Sequence, residues 1–150
     1  MNRKNFDKII DFAVEREKAA VDFYHELQGK AKFEAQKEML KEFEEMEKGH
    51  IVILENIRKK GFENLDEKKI IDLKISDYIV PVEPSDDMDY QDILIIAMKR
   101  EEAATKLYSD MAARFPGSDI QKMFLRLSVE EAGHKLKFEK LYDEDILREN

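Results

Sequence analysis

Two Glu-x-x-His motifs are the part of this sequence best suited to chemistry. The first joins Glu47 to His50, and the second joins Glu131 to His134. Residues three apart on a helix project from the same face, so each motif would present one carboxylate and one imidazole to a common point. Such a pair can bind a metal ion. The chain contains no cysteine, which excludes thiolate ligands and thiolate catalysis and leaves oxygen and nitrogen as ligand atoms.

The two motifs belong to an internal duplication. Glu47 and Glu131 lie 84 residues apart. The same offset relates Ala13 to Ala97, Glu17 to Glu101, Tyr24 to Tyr108, Gly49 to Gly133 and His50 to His134. The two halves are therefore copies of one plan. Each half supplies two carboxylates and one imidazole, a ligand set rich in oxygen.

Sparse glycine and proline separate four segments rich in good helix formers. We predict α-helices over residues 5–29, 33–60, 88–114 and 119–147. Short connections join them into two antiparallel hairpins, at about 5–60 and 88–147. Gly29 and Gly61 stand where helix C-terminal caps are expected, and Ser118 with Gln121 has the spacing of a capping box.

A long connection, at about residues 61–87, joins the two hairpins. A helix of about 25 residues is about 37 Å long, whereas the same number of extended residues reaches roughly 80 Å. The connection can therefore cross the length of a bundle, and its apolar residues predict that it packs on the outside. The sequence predicts one all-α domain over residues 1–150, a four-helix bundle made of two hairpins and a crossover.

Each predicted helix has an apolar stripe that is interrupted by one glutamate. The four interrupting residues are Glu17, Glu47, Glu101 and Glu131. If the stripes form the core, four carboxylates are buried with no Lys or Arg in the same seams, which costs roughly several kcal/mol per charge unless a cation is present. Two divalent cations would balance the four charges, with His50 and His134 completing the ligand sets. Such ligands favour iron or manganese over copper, and zinc can also occupy them; bridged metals would lie about 3.5 to 4 Å apart.

The composition excludes several classes of partner. The formal net charge is -8, the pI is about 5.0, and no block of Lys or Arg is present, which argues against nucleic acid and an anionic membrane. The longest apolar run, Ile93–Met98, is far too short to span a bilayer, and the charged N-terminus does not resemble a signal peptide. We expect a cytoplasmic protein.

The residues resemble a known family. Glu17 followed by Phe23 and Tyr24, together with Glu47-x-x-His50, is similar to the rubrerythrin family of the ferritin-like superfamily. The second half repeats the pattern with Glu101, Leu107, Tyr108, Glu131 and His134. The resemblance covers all four predicted helices, and this ligand pattern is the one described for ferritin-like di-iron bundles.

The resemblance implies a ferritin-like four-helix bundle that holds two iron ions. It implies that Glu47 and Glu131 bridge the ions, that Glu17 and Glu101 are terminal or chelating ligands, and that His50 and His134 bind one ion each. It also implies reduction of hydrogen peroxide, or of dioxygen, by cycling between diferrous and diferric states. Tyr24 and Tyr108 lie two turns beyond Glu17 and Glu101, where each phenol could hydrogen-bond a ligand carboxylate.

The sequence departs from the family in two ways. It lacks the paired Cys-x-x-Cys motifs of a rubredoxin domain, so we expect a separate electron-donor protein. Met98 and Ala104 stand where many members carry an additional glutamate, which leaves a symmetric set of six ligands. Two other functions stay open: a ferroxidase or iron-handling protein, and a redox-inert, metal-stabilised scaffold that binds a partner.

Three further expectations do not involve the proposed ligands. A homodimer is expected, since four helices leave exposed faces and the crossover permits exchange of helices between protomers. His25 is expected to be exposed. Glu44, Glu45, Glu102 and Glu130 are expected to be solvated, although Glu44 and Glu130 flank the apolar seam and could orient an imidazole.

Overall fold

The computed structural model describes residues 3–61, 74–85 and 87–149. Within these ranges the chain forms four α-helices and one short 3-10 helix and contains no strand. The α-helices are α1 (Arg3–Gln28), α2 (Glu34–Gly61), α3 (Tyr90–Ala112) and α4 (Asp119–Glu149), and the 3-10 helix is Ile75–Tyr78. The predicted all-α class and the order of four helices are confirmed.

The first compact unit, residues 1–73, is a hairpin in which α1 packs against α2. Apolar residues recur every three or four positions on both helices, so each helix buries one face against the other. The buried apolar side chains include Phe6, Ile10, Leu27, Leu40, Phe43, Leu54 and Ile57. Tyr24 meets Phe43 edge-on, with ring centroids 5.9 Å apart.

Gly61 has a packing role rather than the predicted capping role. It is the last residue of α2 and lacks the positive φ of a left-handed cap. A Cβ at this position would lie 2.7 Å from Cζ of Phe6, which is fully buried. The cap prediction for Gly61 is therefore wrong. Glycine instead lets the first turn of α1 approach the last turn of α2.

The second compact unit, residues 74–150, contains the α3–α4 hairpin. The predicted capping residues of α4 are confirmed. Ser118 Oγ accepts a hydrogen bond from Gln121 N at 3.1 Å. Gln121 Oε1 accepts one from Gly117 N at 3.0 Å, whereas a capping box would use the backbone N–H of Ser118, one residue later. Gly117 has φ of 74° and turns the chain into α4. At the start of α3, Asp89 accepts from Asp92 N at 2.8 Å.

The described end of the crossover packs against α3. Tyr78 is buried, and its hydroxyl donates to Asp110 Oδ2 at 2.7 Å while Lys106 Nζ lies 4.9 Å from its ring centroid. Arg100 donates to Glu83 at 2.7 Å. These contacts agree with a crossover that packs on the helices. Residues 62–73 and 86, the remainder of that prediction, lie outside the described residues.

In the ranges that the structure describes, no helix is both long enough and apolar enough to cross a lipid bilayer.

Candidate metal centre

The first hairpin brings three of the predicted ligands together. Glu17 comes from α1, and Glu47 and His50 come from α2. All three are at most 2% exposed. Each offers a ligand atom within 4.8 Å of the others. His50 Nδ1 lies 3.6 Å from Glu17 Oε2 and 3.7 Å from Glu47 Oε2.

The second hairpin repeats this arrangement. Glu101 comes from α3, and Glu131 and His134 come from α4. These residues are each 2% exposed, and their ligand atoms again lie within 4.8 Å of one another. His134 Nδ1 lies 3.8 Å from Glu101 Oε2. The duplication seen in the sequence is thus a duplication of local geometry.

Helical periodicity positions each set. In each hairpin the Glu-x-x-His motif places a carboxylate and an imidazole on the inner face of one helix. The partner helix supplies the second carboxylate one turn after a buried alanine, Ala13 before Glu17 and Ala97 before Glu101. The small alanine side chain leaves room beside the carboxylate. The surrounding apolar side chains then exclude water from it.

The electrostatics of each set favour a bound cation. Two carboxylates within 4.8 Å repel each other, and burial removes the water that would screen them. An imidazole beside them supplies a neutral nitrogen ligand. Four carboxylates and two imidazoles over the two hairpins are a donor set that suits iron, manganese or zinc. The residues therefore fit a metal, and each set could hold one.

Tyr24 and Tyr108 lie in the cores of their hairpins, each 1% exposed. The ring of Tyr108 stacks on Phe124 with centroids 6.4 Å apart, whereas Tyr24 meets its neighbour edge-on. Both side chains are thus as fully buried as the predicted ligand carboxylates. The predicted hydrogen bonds from their hydroxyls to the ligand carboxylates stay a prediction.

Sequence reasoning missed the environment of Glu44. This residue was expected to be solvated, but it is buried between α1 and α2, where His25 Nδ1 donates to its Oε1 at 2.7 Å. His25 is exposed, as predicted. The position of Glu44 beside the apolar seam was the available signal. The partner of Glu44 on α1, His25, is set by the register in which α1 packs against α2. The helical pattern of α2 alone does not predict that register.

Comparison with known proteins identifies the family. The chain matches the Rubrerythrin family model over residues 8–142, which covers both hairpins and all six predicted ligands. No curated protein and no solved structure matches it. Because the family match covers most of the chain, this protein belongs to the rubrerythrin family, and its fold class is the all-α, ferritin-like four-helix bundle.

Proposed function

We propose that this protein is a di-iron carboxylate oxidoreductase that reduces hydrogen peroxide or dioxygen with electrons from a separate donor protein. One observation carries the proposal: a rubrerythrin-family chain buries two copies of the same Glu, Glu and His set. A chain that needed only a stable helical core would gain nothing by burying four carboxylates. The duplication of the set supports a proposal in which the two sets act together.

Six residues would hold the two iron ions. They are Glu17, Glu47 and His50 in the first hairpin and Glu101, Glu131 and His134 in the second. In the proposal Glu47 and Glu131, the carboxylates of the two Glu-x-x-His motifs, would each help to hold an ion. When bound, a pair of ferrous ions would supply the two electrons in the reaction H2O2 + 2H⁺ + 2e⁻ → 2H2O.

The protein's own residues would contribute orientation and exclusion of water. The carboxylates neutralise the cations, and the apolar side chains around them keep bulk water out, which strengthens electrostatic interactions with developing negative charge. Tyr24 and Tyr108 are proposed to orient ligand carboxylates through their hydroxyls. The electrons must come from outside the chain, since it has no cysteine to hold an iron-sulfur or rubredoxin-type centre.

Anaerobic stopped-flow spectroscopy tests this proposal. Protein reconstituted with Fe(II) is mixed with hydrogen peroxide, with air-saturated buffer or with anaerobic buffer, and iron oxidation is followed by absorbance. We expect oxidation by peroxide or dioxygen to be faster than for free Fe(II) under the same conditions. Glu47→Ala and Glu131→Ala should lose this acceleration, whereas Glu45→Gln, an exposed position on α2, should keep it. Wild-type protein that oxidises no faster than free iron would refute the proposal.

The burial of the carboxylates also favours a second candidate, a redox-inert scaffold that metals stabilise. A cation would then contribute folding free energy but no turnover. Tight binding of zinc in preference to iron, without any response to oxidant, would select this function. Repeated oxidation of added Fe(II) by a protein that forms a large assembly would instead indicate iron handling. Light scattering distinguishes such an assembly from the expected homodimer.

A further inference from the structure

The outward face of α4 carries four apolar residues in a line, Leu125, Val129, Ala132 and Leu136, which we call the α4 stripe. The two leucines and the valine are 46%, 66% and 71% exposed, and the alanine is half-buried. The intervals along the stripe are four, three and four residues, which is the seam repeat of a coiled coil. Leu127, two residues after the first leucine, is fully buried on the opposite side of the helix. The α4 stripe is therefore separate from the core of its hairpin.

The equivalent face of α2 is charged. The residues 84 positions before the first three members of the α4 stripe are Lys41, Glu45 and Lys48. Lys48 Nζ lies 3.2 Å from Glu45 Oε1, and both side chains are more than half exposed. Charges that pair along an exposed helix are typical of a solvated face. The fourth duplicate, Val52, is exposed one turn after Lys48. The plan shared by the two hairpins therefore does not account for the α4 stripe.

Charges of opposite sign stand at the two ends of the stripe. Lys122 lies three residues before Leu125, and Glu139 lies three residues after Leu136, so both continue the seam spacing. Lys122 is exposed, and the side chain of Glu139 is 43% exposed. Lys135 flanks the stripe, with its Nζ 3.6 Å from Glu139 Oε1. The α4 stripe is thus an apolar segment with a positive residue before it and a negative residue after it.

Two copies of the α4 stripe match each other when they run antiparallel. A two-fold axis midway between Val129 and Ala132 places these two residues opposite each other across the pair of helices. The same axis places Leu125 opposite Leu136. Each apolar side chain then meets an apolar side chain, and the small alanine lets the two helices approach closely at the axis.

The charges at the ends also match in this register. Lys122 of one copy lies opposite Glu139 of the other, and the two-fold symmetry repeats the pair at the second end. In a parallel pair each of these residues would instead face its own copy. Like charges in facing positions act against that orientation. Charge complementarity therefore favours an antiparallel pair of α4 helices.

We propose that the α4 stripe is the surface through which two copies of this chain form a homodimer, with their α4 helices antiparallel. A contiguous exposed apolar patch marks an interaction site, and two-fold dimers are the commonest closed assembly. Each chain keeps its own four helices in this dimer, in contrast to an exchange of helices through the crossover. The inference is independent of the proposed function, because the stripe contains none of the six proposed metal ligands.

Sedimentation velocity of the full chain, over a wide range of concentration, is the first test. We expect the wild type to form a species of twice the chain mass of 17.7 kDa. Leu136→Lys places two charges in each dimer interface in exchange for two leucines, and should raise the dissociation constant by about 100-fold or more. Val52→Lys makes the matched change at the duplicate position on α2 and should leave the constant unchanged. Both positions are exposed, so circular dichroism should show wild-type helicity.

An exchange of charges tests the register. Lys122→Glu and Glu139→Lys each set like charges opposite one another twice, so each should raise the dissociation constant by roughly fivefold or more. The double variant K122E/E139K restores opposite charges across the interface and should recover the wild-type constant. Separate effects of the two substitutions on α4 itself would add rather than cancel.

Disulfide formation tests the orientation, because the natural chain has no cysteine. The double variant L125C/L136C should give a covalent dimer on oxidation, whereas L125C and L136C alone should give little. Residues 125 and 136 are about 16 Å apart along one helix at 1.5 Å per residue, so the two cysteines cannot join within a chain.

Four results would overturn the inference. The first is a wild type that stays monomeric at every concentration. The second is a dimer that Leu136→Lys leaves as tight as the wild type, which would assign the dimer to another surface or to exchanged helices. The third is a double variant K122E/E139K that is weaker than both single variants. The fourth is covalent dimer from L125C or L136C alone in the yield of the double variant, which would indicate a parallel pair.

Discussion

Replacement of Glu47 by glutamine should change the stability of the metal-free and the metal-bound protein in opposite directions. Glu47 is fully buried, and its carboxylate lies within 4.8 Å of that of Glu17. Two unit charges at this separation repel by about 3.5 kcal/mol at an effective dielectric constant of about 20. A proton shared by the carboxylates, or one on His50, reduces that figure. We therefore expect Glu47→Gln to stabilise the metal-free protein by about 1 to 3 kcal/mol.

The metal-bound protein should respond in the reverse sense. A cation that binds only the folded state adds about 4.1 kcal/mol at a concentration one thousand times its Kd, which exceeds the gain of about 1 to 3 kcal/mol that glutamine brings to the metal-free protein. Glutamine loses the negative charge that attracts the cation, so most of this stabilisation should disappear in the variant. Metal should then raise the free energy of unfolding of the wild type well above that of Glu47→Gln, although the metal-free variant is the more stable protein.

Urea denaturation followed by circular dichroism measures both effects, with EDTA in one series and excess Zn²⁺ in the other. Glu45→Gln is the matched control, because its side chain is 63% exposed on the same helix. It should shift both series by less than about 0.5 kcal/mol. The reasoning is refuted if Glu47→Gln destabilises the metal-free protein, or if zinc stabilises the variant as much as the wild type.

Three further predictions concern the packing of the hairpins. Burial raises the pKa of Tyr78 above 10.0, and the hydrogen bond to Asp110 is the next largest cause. The contribution of Tyr78 to the free energy of unfolding is therefore complete below about pH 10 and is lost as the pH rises above that value. Tyr78→Phe should cost about 1 kcal/mol at neutral pH and should flatten the loss of stability in alkali, both measured by urea denaturation. Gly117→Ala should destabilise the protein by about 1 kcal/mol because Gly117 has a positive φ. Gly49→Ala should stabilise it by up to about 1 kcal/mol, because a Cβ at Gly49 of α2 would meet open space. Thermal unfolding measures both changes, and equal shifts in melting temperature would contradict these two predictions. Ser118→Ala removes the cap of α4 and should cost about 1 kcal/mol in thermal unfolding, and an unchanged melting temperature would show that the cap contributes nothing.

The helices and the composition of each ligand set could be predicted from the sequence because both depend on local periodicity. Glu47 and His50 share a face wherever the chain is helical, and Glu17 falls on an apolar stripe that must be buried. The 84-residue offset then extends the same reasoning to the second half. These features need only the helical repeat and the cost of burying charge.

The features that could not be predicted depend on contacts between elements. Burial of Glu44 follows from the register that places His25 opposite it, 19 residues away. Gly61 has the composition signal of a cap, but the ring of Phe6 from the start of α1 determines its role. The docking of Tyr78 on Asp110 spans 32 residues. The pattern of residues along one helix does not predict contacts with residues of another element.

Iron content is the most direct test of the central claim, that two buried Glu, Glu and His sets bind two iron ions. Wild-type protein is reconstituted anaerobically with Fe(II), freed of loosely bound metal and subjected to elemental analysis beside the double variant E47Q/E131Q. The account predicts about two irons per chain for the wild type and a large loss in the double variant. Wild-type protein that retains no more iron than E47Q/E131Q would contradict it.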